Sequence, residues 1–354
     1  MDSVDQKDID ERMKDAVRMT APGTALRHAL DMTVDGGLGA LICIGDTDNV
    51  IANGEDGFPL DISFTSNRLF ELSKMDGAIV VDGGLTRILR ANYHLNPDSG
   101  VYTAETGTRH RTAARMSQVT HATVIAISQR RQVVTVYVAG RSHVLRRTTD
   151  IMTSVSQLLV TLQNTRTELD RKLWRLSTLE LENLVTLADV AGVVYLFEVL
   201  MTASRELGDY VLELGSEGRT VSMRLDELAG DMDATYTLLV RDYAADSSPE
   251  NAQRIRLQLR DAPNTTLRSP QKVAAILGYP DLRPDSIMSP LGLRTLSRTS
   301  VIRDEMADKI VDEYGSLSEL VDDLEDNPNR LDEIGVENPT ILADRLLRMR
   351  GLGE

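Results

Sequence analysis

From Ile151 to Glu182 the apolar residues Val155, Leu158, Leu159, Leu162, Leu169, Leu173 and Leu176 recur at helical spacing, with charged residues between them. That pattern marks one face of a long helix. Thr186 to Leu214 continues it, and Arg224 to Ala244 adds a third helix-rich stretch before the turn-prone Asp246-Ser-Ser-Pro249. Residues 151–269 are therefore expected to be an all-α linker with an architectural role, in which Trp174 packs. A chain of 354 residues exceeds one ordinary domain, and this helical middle shows where it divides.

The residues before it alternate in type. Lys7 to Met19 and Thr24 to Val34 carry apolar positions three and four apart and predict helices. Gly39-Ala-Leu-Ile-Cys-Ile44 predicts a buried strand that stops at the turn residues Gly45 and Asp46. Arg68 to Lys74 predicts a short helix and Ala78 to Asp82 a second strand. Arg87 to Ala91, Thr123 to Ser128 and Val133 to Val138 predict three more strands, and Thr112 to Thr120 is helical in composition. Residues 1–150 are thus expected to form an α/β domain with a mixed central sheet flanked by helices. From Ser269 onward, Pro270, Pro280, Pro284, Pro290, Pro328 and Pro339 punctuate short helical pieces, so 270–354 is expected to be a small all-α module.

Charge and cysteine content narrow the function. The chain holds 39 Lys and Arg against 54 Asp and Glu, a net charge of −15. That argues against coating nucleic acid by bulk electrostatics, although a local basic patch remains compatible with it. One cysteine, Cys43, excludes an intrachain disulfide and a multi-cysteine zinc site, and inside a strand it reads as a small core hydrophobe. The longest apolar stretch, Val190 to Met201, is interrupted by Glu198 and falls short of the ~20 residues that cross a bilayer. The charged N-terminus has no apolar leader segment, and a cytoplasmic protein is expected.

The familiar active-site motifs are missing: there is no GxxxxGK[ST], no HExxH and no GxSxG. All five histidines (His28, His94, His110, His121 and His143) lie before residue 150, which confines histidine chemistry to the first segment. Two stretches there can carry chemistry. In Lys74-Met-Asp-Gly-Ala-Ile-Val-Val-Asp82, Asp76 sits at the mouth of a strand, where a carboxylate can hold Mg²⁺ beside phosphates or accept a proton from a hydroxyl. Gly77 beside it permits close approach of a backbone or a ligand. In Glu105-Thr-Gly-Thr-Arg-His-Arg-Thr112, two arginines, a histidine and three threonines surround one glycine at the start of a helix. Free N–H groups and the positive dipole end there suit an anion, Arg109 and Arg111 add bidentate donors, and Thr108 and Thr112 can add hydroxyls. His28, His121 and His143 are expected to be structural. His94, Arg130 and Arg131 could approach a ligand or simply face solvent.

Asp76-Gly77-Ala78 followed by Arg109-His110-Arg111 resembles the paired DGA and RHR motifs of the diadenylate cyclase family. The surrounding Ala91-Asn-Tyr-His-Leu-Asn-Pro-Asp98, and the order of cyclase domain, helical spine and C-terminal module, are similar to the DNA integrity scanning branch of that family. This resemblance implies condensation of two ATP molecules into cyclic di-AMP and two pyrophosphates, with Mg²⁺ or Mn²⁺. It implies that Asp76 holds the metal and activates a ribose 3′-hydroxyl, and that Gly77 lets the nucleotide approach. Thr108, Arg109, His110, Arg111 and Thr112 would cradle the triphosphate, and Leu95 and Ser128 would line the adenine pocket. Position 129 is Gln where Glu is expected.

One DGA and one RHR per chain mean one ATP site, whereas the product joins two AMP units symmetrically. Two copies must then face one another about a two-fold axis, and the resemblance implies an octamer assembled through the helical spine. It also implies that 270–354 is a helix-hairpin-helix module for branched DNA, with hairpins near Arg298-Thr-Ser-Val-Ile302 and Gly335-Val336-Glu337-Asn338. The first of these contains no glycine. Arg294, Arg298, Arg303, Arg345, Arg348 and Arg350 are the candidates for its basic face. The competing reading is a DNA-junction scaffold that binds ATP without turnover.

Overall fold

The computed structural model describes residues 3–299, 301–327, 329–336 and 338–351. The chain divides into two compact units, one formed by 1–156 with 208–223 and the other by 157–207 with 224–354. Of the features expected from sequence, Pro328, Ser300 of the first hairpin and Glu337 of the second lie outside the described residues.

The first unit begins with two helices, α1 (Ser3–Met19) and α2 (Ala25–Asp35). There follow β1 (Ala40–Ile44), α3 (Thr47–Ala52), β2 (Gly54–Glu55), β3 (Phe58–Ser63), α4 (Ser66–Leu72), β4 (Ala78–Val81) and β5 (Arg87–Leu95). Then come α5 (Thr108–Val119), β6 (Thr123–Ser128), β7 (Val133–Val138), β8 (Arg141–Leu145) and the start of α6 (Thr148–Leu181). Eight strands form one mixed sheet in the order β2-β5-β4-β1-β6-β7-β8, with β3 also pairing to β5. Among the described residues only β1 and β4 pair in parallel, Ile42 opposite Ile79 and Ile44 opposite Val81; the other pairings are antiparallel.

Strand residues alternate between two cores because successive side chains leave opposite faces. Ile42, Ile44, Ile79, Val81, Ile125, Ile127, Val134 and Val136 pack on one face with Leu26, Ala29 and Leu30 of α2 and Leu69 of α4. Leu41, Cys43, Ala78, Val80, Val124, Ala126 and Tyr137 pack on the other with Ala113, Ala114 and Met116 of α5 and Val50 of α3. Covered on both faces, β1 and β4 read as unbroken apolar runs, which is why they were legible. No strand was expected at β2, β3 or β8. They are exposed or alternately exposed, and β3 contains Pro59, so no apolar run announces them. The strand expected to stop at Ala91 continues to Leu95 through a register break and a left-handed Asn92 (φ 53°).

The second unit is helical. The remainder of α6 leads into α7 (Leu187–Leu214), α8 (Arg219–Ala229), α9 (Met232–Tyr243), α10 (Pro249–Asp261), α11 (Asn264–Leu267) and α12 (Pro270–Leu277), although residues 208–223, the end of α7 and the start of α8, belong to the first unit. It closes with α13 (Leu293–Arg298), α14 (Asp304–Tyr314), α15 (Leu317–Asp326) and α16 (Pro339–Met349). The stretch expected as one helix-rich segment from Arg224 is split between α8 and α9 around Gly230. Trp174 was expected to pack, yet it is 71% exposed, because it falls on the side of α6 opposite the buried Leu169, Leu173 and Leu176. An 18-residue window within Leu187–Tyr243 is long and apolar enough by composition to cross a membrane (mean hydropathy 1.6), beyond what the interrupted Val190–Met201 run suggested. The protein itself buries half of that window, and Val190, Val193, Val194, Phe197 and Leu200 are core residues.

Candidate functional site

Strand direction decides where the chemistry-bearing residues meet. With β5 and β6 antiparallel to β4 and β1, the strands β1 and β4 start at the end of the sheet where β5 and β6 finish. Ala40 there lies opposite Ile127, and Ala78 opposite Tyr93. The N-terminus of α5 comes to the same end. A cavity of about 650 Å³ opens there, lined by Leu41 of β1, Asp76, Gly77 and Ala78, and Tyr93, His94 and Leu95 of β5. Gly107, Thr108, Arg109, His110 and Thr112 of the α5 start, with Ile127 and Ser128 at the end of β6 and Gln129 and Arg130 just after it, complete the lining. That volume lies within the ~300–1,000 Å³ typical of small-molecule sites.

Asp76 stands just before β4 with its carboxylate 94% exposed, and one guanidinium nitrogen of Arg109 lies 3.9 Å from it. Gly77 is held at φ +85°, and a Cβ there would fall 2.7 Å from the Asn92 carbonyl carbon. The backbone that comes close to Gly77 is therefore the chain's own β5, so this glycine is needed to seat the strand as well as to line the cavity. Gly39, just ahead of β1, makes room for Arg109: a Cβ would lie 2.5 Å from its Nη1.

The α5 N-terminus supplies donors without spending them internally. Gly107 is its N-cap, no side chain caps it among the described residues, and the Arg111 N–H is bonded to the Gly107 carbonyl at 2.8 Å. The N–H groups of Thr108, Arg109 and His110 therefore have no intrahelical acceptor, and these three residues line the cavity. Arg111, expected in the cradle, does not line it. Its side chain is exposed and lies outside the cavity lining.

His110 is half-buried. Its Nδ1 lies 2.9 Å from the Tyr137 hydroxyl, which donates to Glu105 at 2.8 Å. Burial pushes His110 below the usual histidine range; Arg131 and Arg109 act in the same direction and Glu105 opposes them. Burial first, then the Glu105 carboxylate, pushes the Tyr137 phenol well above its ordinary value. The Ser128 hydroxyl accepts the Arg131 N–H at 3.3 Å. Burial raises the Cys43 thiol to about 12, which fits an inert core residue.

Eight of the nine expected site residues thus share one cavity: Asp76, Gly77, Leu95, Thr108, Arg109, His110, Thr112 and Ser128. Arg130 lines it as well, whereas Arg131 belongs to a smaller adjoining cavity of about 320 Å³ behind His110. Leu41, Tyr93 and Ile127 went unnoticed because an apolar strand residue beside a cavity looks, in sequence, like one in the core. Tyr93 is the most informative of them. It is buried and donates its hydroxyl to the Ile51 carbonyl at 2.6 Å, forming a fixed wall. His28 and His121, expected to be structural, are exposed.

In the second unit, the first expected hairpin falls between α13 and α14, and the second turns through Gly335 (φ +82°) ahead of α16. Most of the arginines proposed for a basic face are otherwise engaged. Arg294 is 1% exposed and ion-paired with the equally buried Glu180. Arg298 donates to Ser177, Arg345 to the Thr299 carbonyl, Arg348 to Asp344, and Arg350 to Asp322 and Glu325. Arg303 and Lys309 line a cavity of about 230 Å³ beside the first hairpin.

A mixed-sheet domain that gathers strand ends, an uncapped helix N-terminus and an arginine over a glycine into one cavity belongs to the class of nucleotide-binding α/β domains. Residues 27–142 match the DAC family model, "DisA bacterial checkpoint controller nucleotide-binding", and residues 145–284 match its linker region. The DNA integrity scanning protein DisA of Symbiobacterium thermophilum is 38% identical over 94% of this chain and 95% of its own length. That of Kineococcus radiotolerans is 38% identical over 96% of each. The chain belongs to the DisA family, and its first domain is a diadenylate cyclase domain. A solved structure of DacA from Staphylococcus aureus covers 40% of this chain and 89% of its own, at 23% identity and a TM-score of 0.27.

Proposed function

We propose that this chain condenses two ATP molecules into cyclic di-AMP, a second messenger, and two pyrophosphates. In each half-reaction a ribose 3′-oxygen attacks the α-phosphorus of the other ATP and the bond to pyrophosphate breaks. The hydroxyl proton leaves toward the Asp76 carboxylate. Phosphoryl transfer asks mainly for in-line positioning and neutralised charge. Arg109 and the free N–H groups of Thr108, Arg109 and His110 supply the second, and Thr112 adds a hydroxyl. Leu95 and Ser128 are proposed to bound the adenine, together with the fixed Tyr93.

The observation that carries this reading is the meeting of Asp76 with the α5 N-terminus in one cavity, 3.9 Å from the Arg109 guanidinium. Among the described residues, no three His, Cys, Asp or Glu side chains gather as a metal cluster. A lone carboxylate fits Mg²⁺ or Mn²⁺, which takes its remaining ligands from phosphate oxygens and water. Such an ion would orient the phosphates and offset their charge.

One site per chain and a symmetric product support two cyclase domains face to face. An octamer built through the helical linker, a cytoplasmic location, and branched-DNA sensing by the tail belong to the same proposal. The division into 1–150, 151–269 and 270–354 follows these roles. For the tail, the engaged arginines move the proposed DNA contact toward Arg303, Lys309 and the hairpin backbone N–H groups, which can hold phosphate without reading bases.

The test is incubation of the full chain with ATP and Mg²⁺ or Mn²⁺, with products identified by mass. Cyclic di-AMP is expected. ATP bound without product under either metal would overturn the cyclase and favour the DNA-junction scaffold.

A further inference from the structure

The surroundings of His110 define the sense of its hydrogen bonding, and it is the reverse of what a phosphate donor needs. A phenol has one proton. Tyr137 donates that proton to Glu105 Oε1 at 2.8 Å, so its oxygen can only accept from His110 Nδ1, 2.9 Å away. A neutral imidazole carries one N–H. With that proton on Nδ1, Nε2 is a bare lone pair, and it has no hydrogen-bond partner among the described residues. The ring is held further by an edge contact with Tyr137, with centroids 6.1 Å apart and planes at 64°. Burial, with Arg109 and Arg131 nearby, favours the neutral ring against the pull of Glu105. Tyr137 itself is absent from the lining of the main cavity, where His110 stands with Asp76.

We propose that Glu105 and Tyr137 are positioning residues that fix His110 as its Nδ1–H tautomer, presenting Nε2 to the cavity as an acceptor for an O–H or N–H group of the bound nucleotide. His110 then recognises a hydroxyl or an amine, not a phosphate oxygen. The identity of the ligand rests on the nucleotide reading above; the tautomer does not.

Diethyl pyrocarbonate acylates an imidazole nitrogen that carries no proton, so peptide mass spectrometry of the labelled full-length chain can read His110 directly. A free imidazole prefers its proton on Nε2, so removing the Tyr137 hydroxyl should close that nitrogen to the reagent. Tyr137→Phe is expected to slow labelling of His110 several-fold, with the exposed His28 and His121 unchanged as controls of folding. Glu105→Gln keeps an acceptor for Tyr137 and is expected to retain the wild-type rate, whereas Glu105→Leu should behave like Tyr137→Phe. A His110 rate in Tyr137→Phe equal to or above wild type, with the controls unchanged, overturns the proposal. Saturating ATP should protect His110. Lack of protection while calorimetry shows ATP bound overturns the contact with the nucleotide; no ATP binding at all overturns the nucleotide reading and leaves the tautomer standing.

Discussion

The Arg109 guanidinium lies 3.9 Å from the Asp76 carboxylate, joining the first turn of α5 to the loop that opens β4. What allows it to lie there is a missing atom: a Cβ at position 39 would come within 2.5 Å of Arg109 Nη1 and 3.2 Å of the Ile127 carbonyl. Gly39→Ala should therefore displace the guanidinium while leaving the sheet intact. A charged hydrogen bond contributes ~1.5–3 kcal/mol, so ATP affinity should fall by about tenfold or more. Calorimetric titration that finds unchanged affinity would remove Gly39 from the site.

Asp76→Asn should abolish synthesis and leave stability unchanged. The carboxylate is 94% exposed, so folding gains almost nothing from it. Measurable turnover in this variant, in a chain that unfolds like wild type, would sink its role as proton acceptor and metal ligand.

The two arginines of the RHR motif should separate. Arg109→Ala removes a cavity-lining donor and should weaken ATP binding by about tenfold. Arg111→Ala changes an exposed side chain outside the cavity lining and should leave the Kd for ATP within about twofold. Equal losses in both single variants would mean that the helix face assigned to the nucleotide is wrong.

Arg294→Ala should destabilise the second unit by ~3–5 kcal/mol, because it strands the Glu180 carboxylate at 1% exposure. Denaturant unfolding of the full chain reads this directly. A loss under about 1 kcal/mol would show that Glu180 finds water or is protonated at little cost.

Asp242 gives the helical unit a pH dependence. Its carboxylate accepts the N–H groups of Gly292, Leu293 and Arg294 at the start of α13, at 2.7–3.0 Å. Burial first, then Glu180, raises it from 3.8 to about 7, against Arg294 and two of those N–H groups. A carboxyl with a raised folded-state pKa contributes stability that is fully present below the unfolded value and is lost as pH rises through the folded one. The unit should therefore lose stability between about pH 4 and about pH 7, and Asp242→Asn should flatten that part of the curve. Parallel pH profiles for the two proteins would reject the assignment.

Several elements were legible from local pattern alone. The doubly covered strands β1, β4, β6 and β7 are continuous apolar runs, and α6 carries an apolar stripe, so each announced itself through its period. The edge strands β2 and β8 did not, since a strand at the margin of a sheet buries little and its composition looks like loop.

Asp76 and the stretch from Gly107 to Thr112 could likewise be named in advance. Carboxylate, glycine and arginine at strand and helix ends carry their chemistry in their type, whatever surrounds them. Their partners could not be named. That Gly39 lies under Arg109, that the Tyr137 hydroxyl of β7 meets His110 Nδ1, that Arg111 stays outside the cavity lining and that Arg294 is buried against Glu180 are facts of juxtaposition between segments up to 114 residues apart. The sequence by itself determined the period of each element and the reactive groups at its ends, because both depend on neighbours along the chain. The tertiary structure decided which of those groups meet, through strand direction and helix rotation, because hydrogen bonds and burial act through space and are blind to sequence distance.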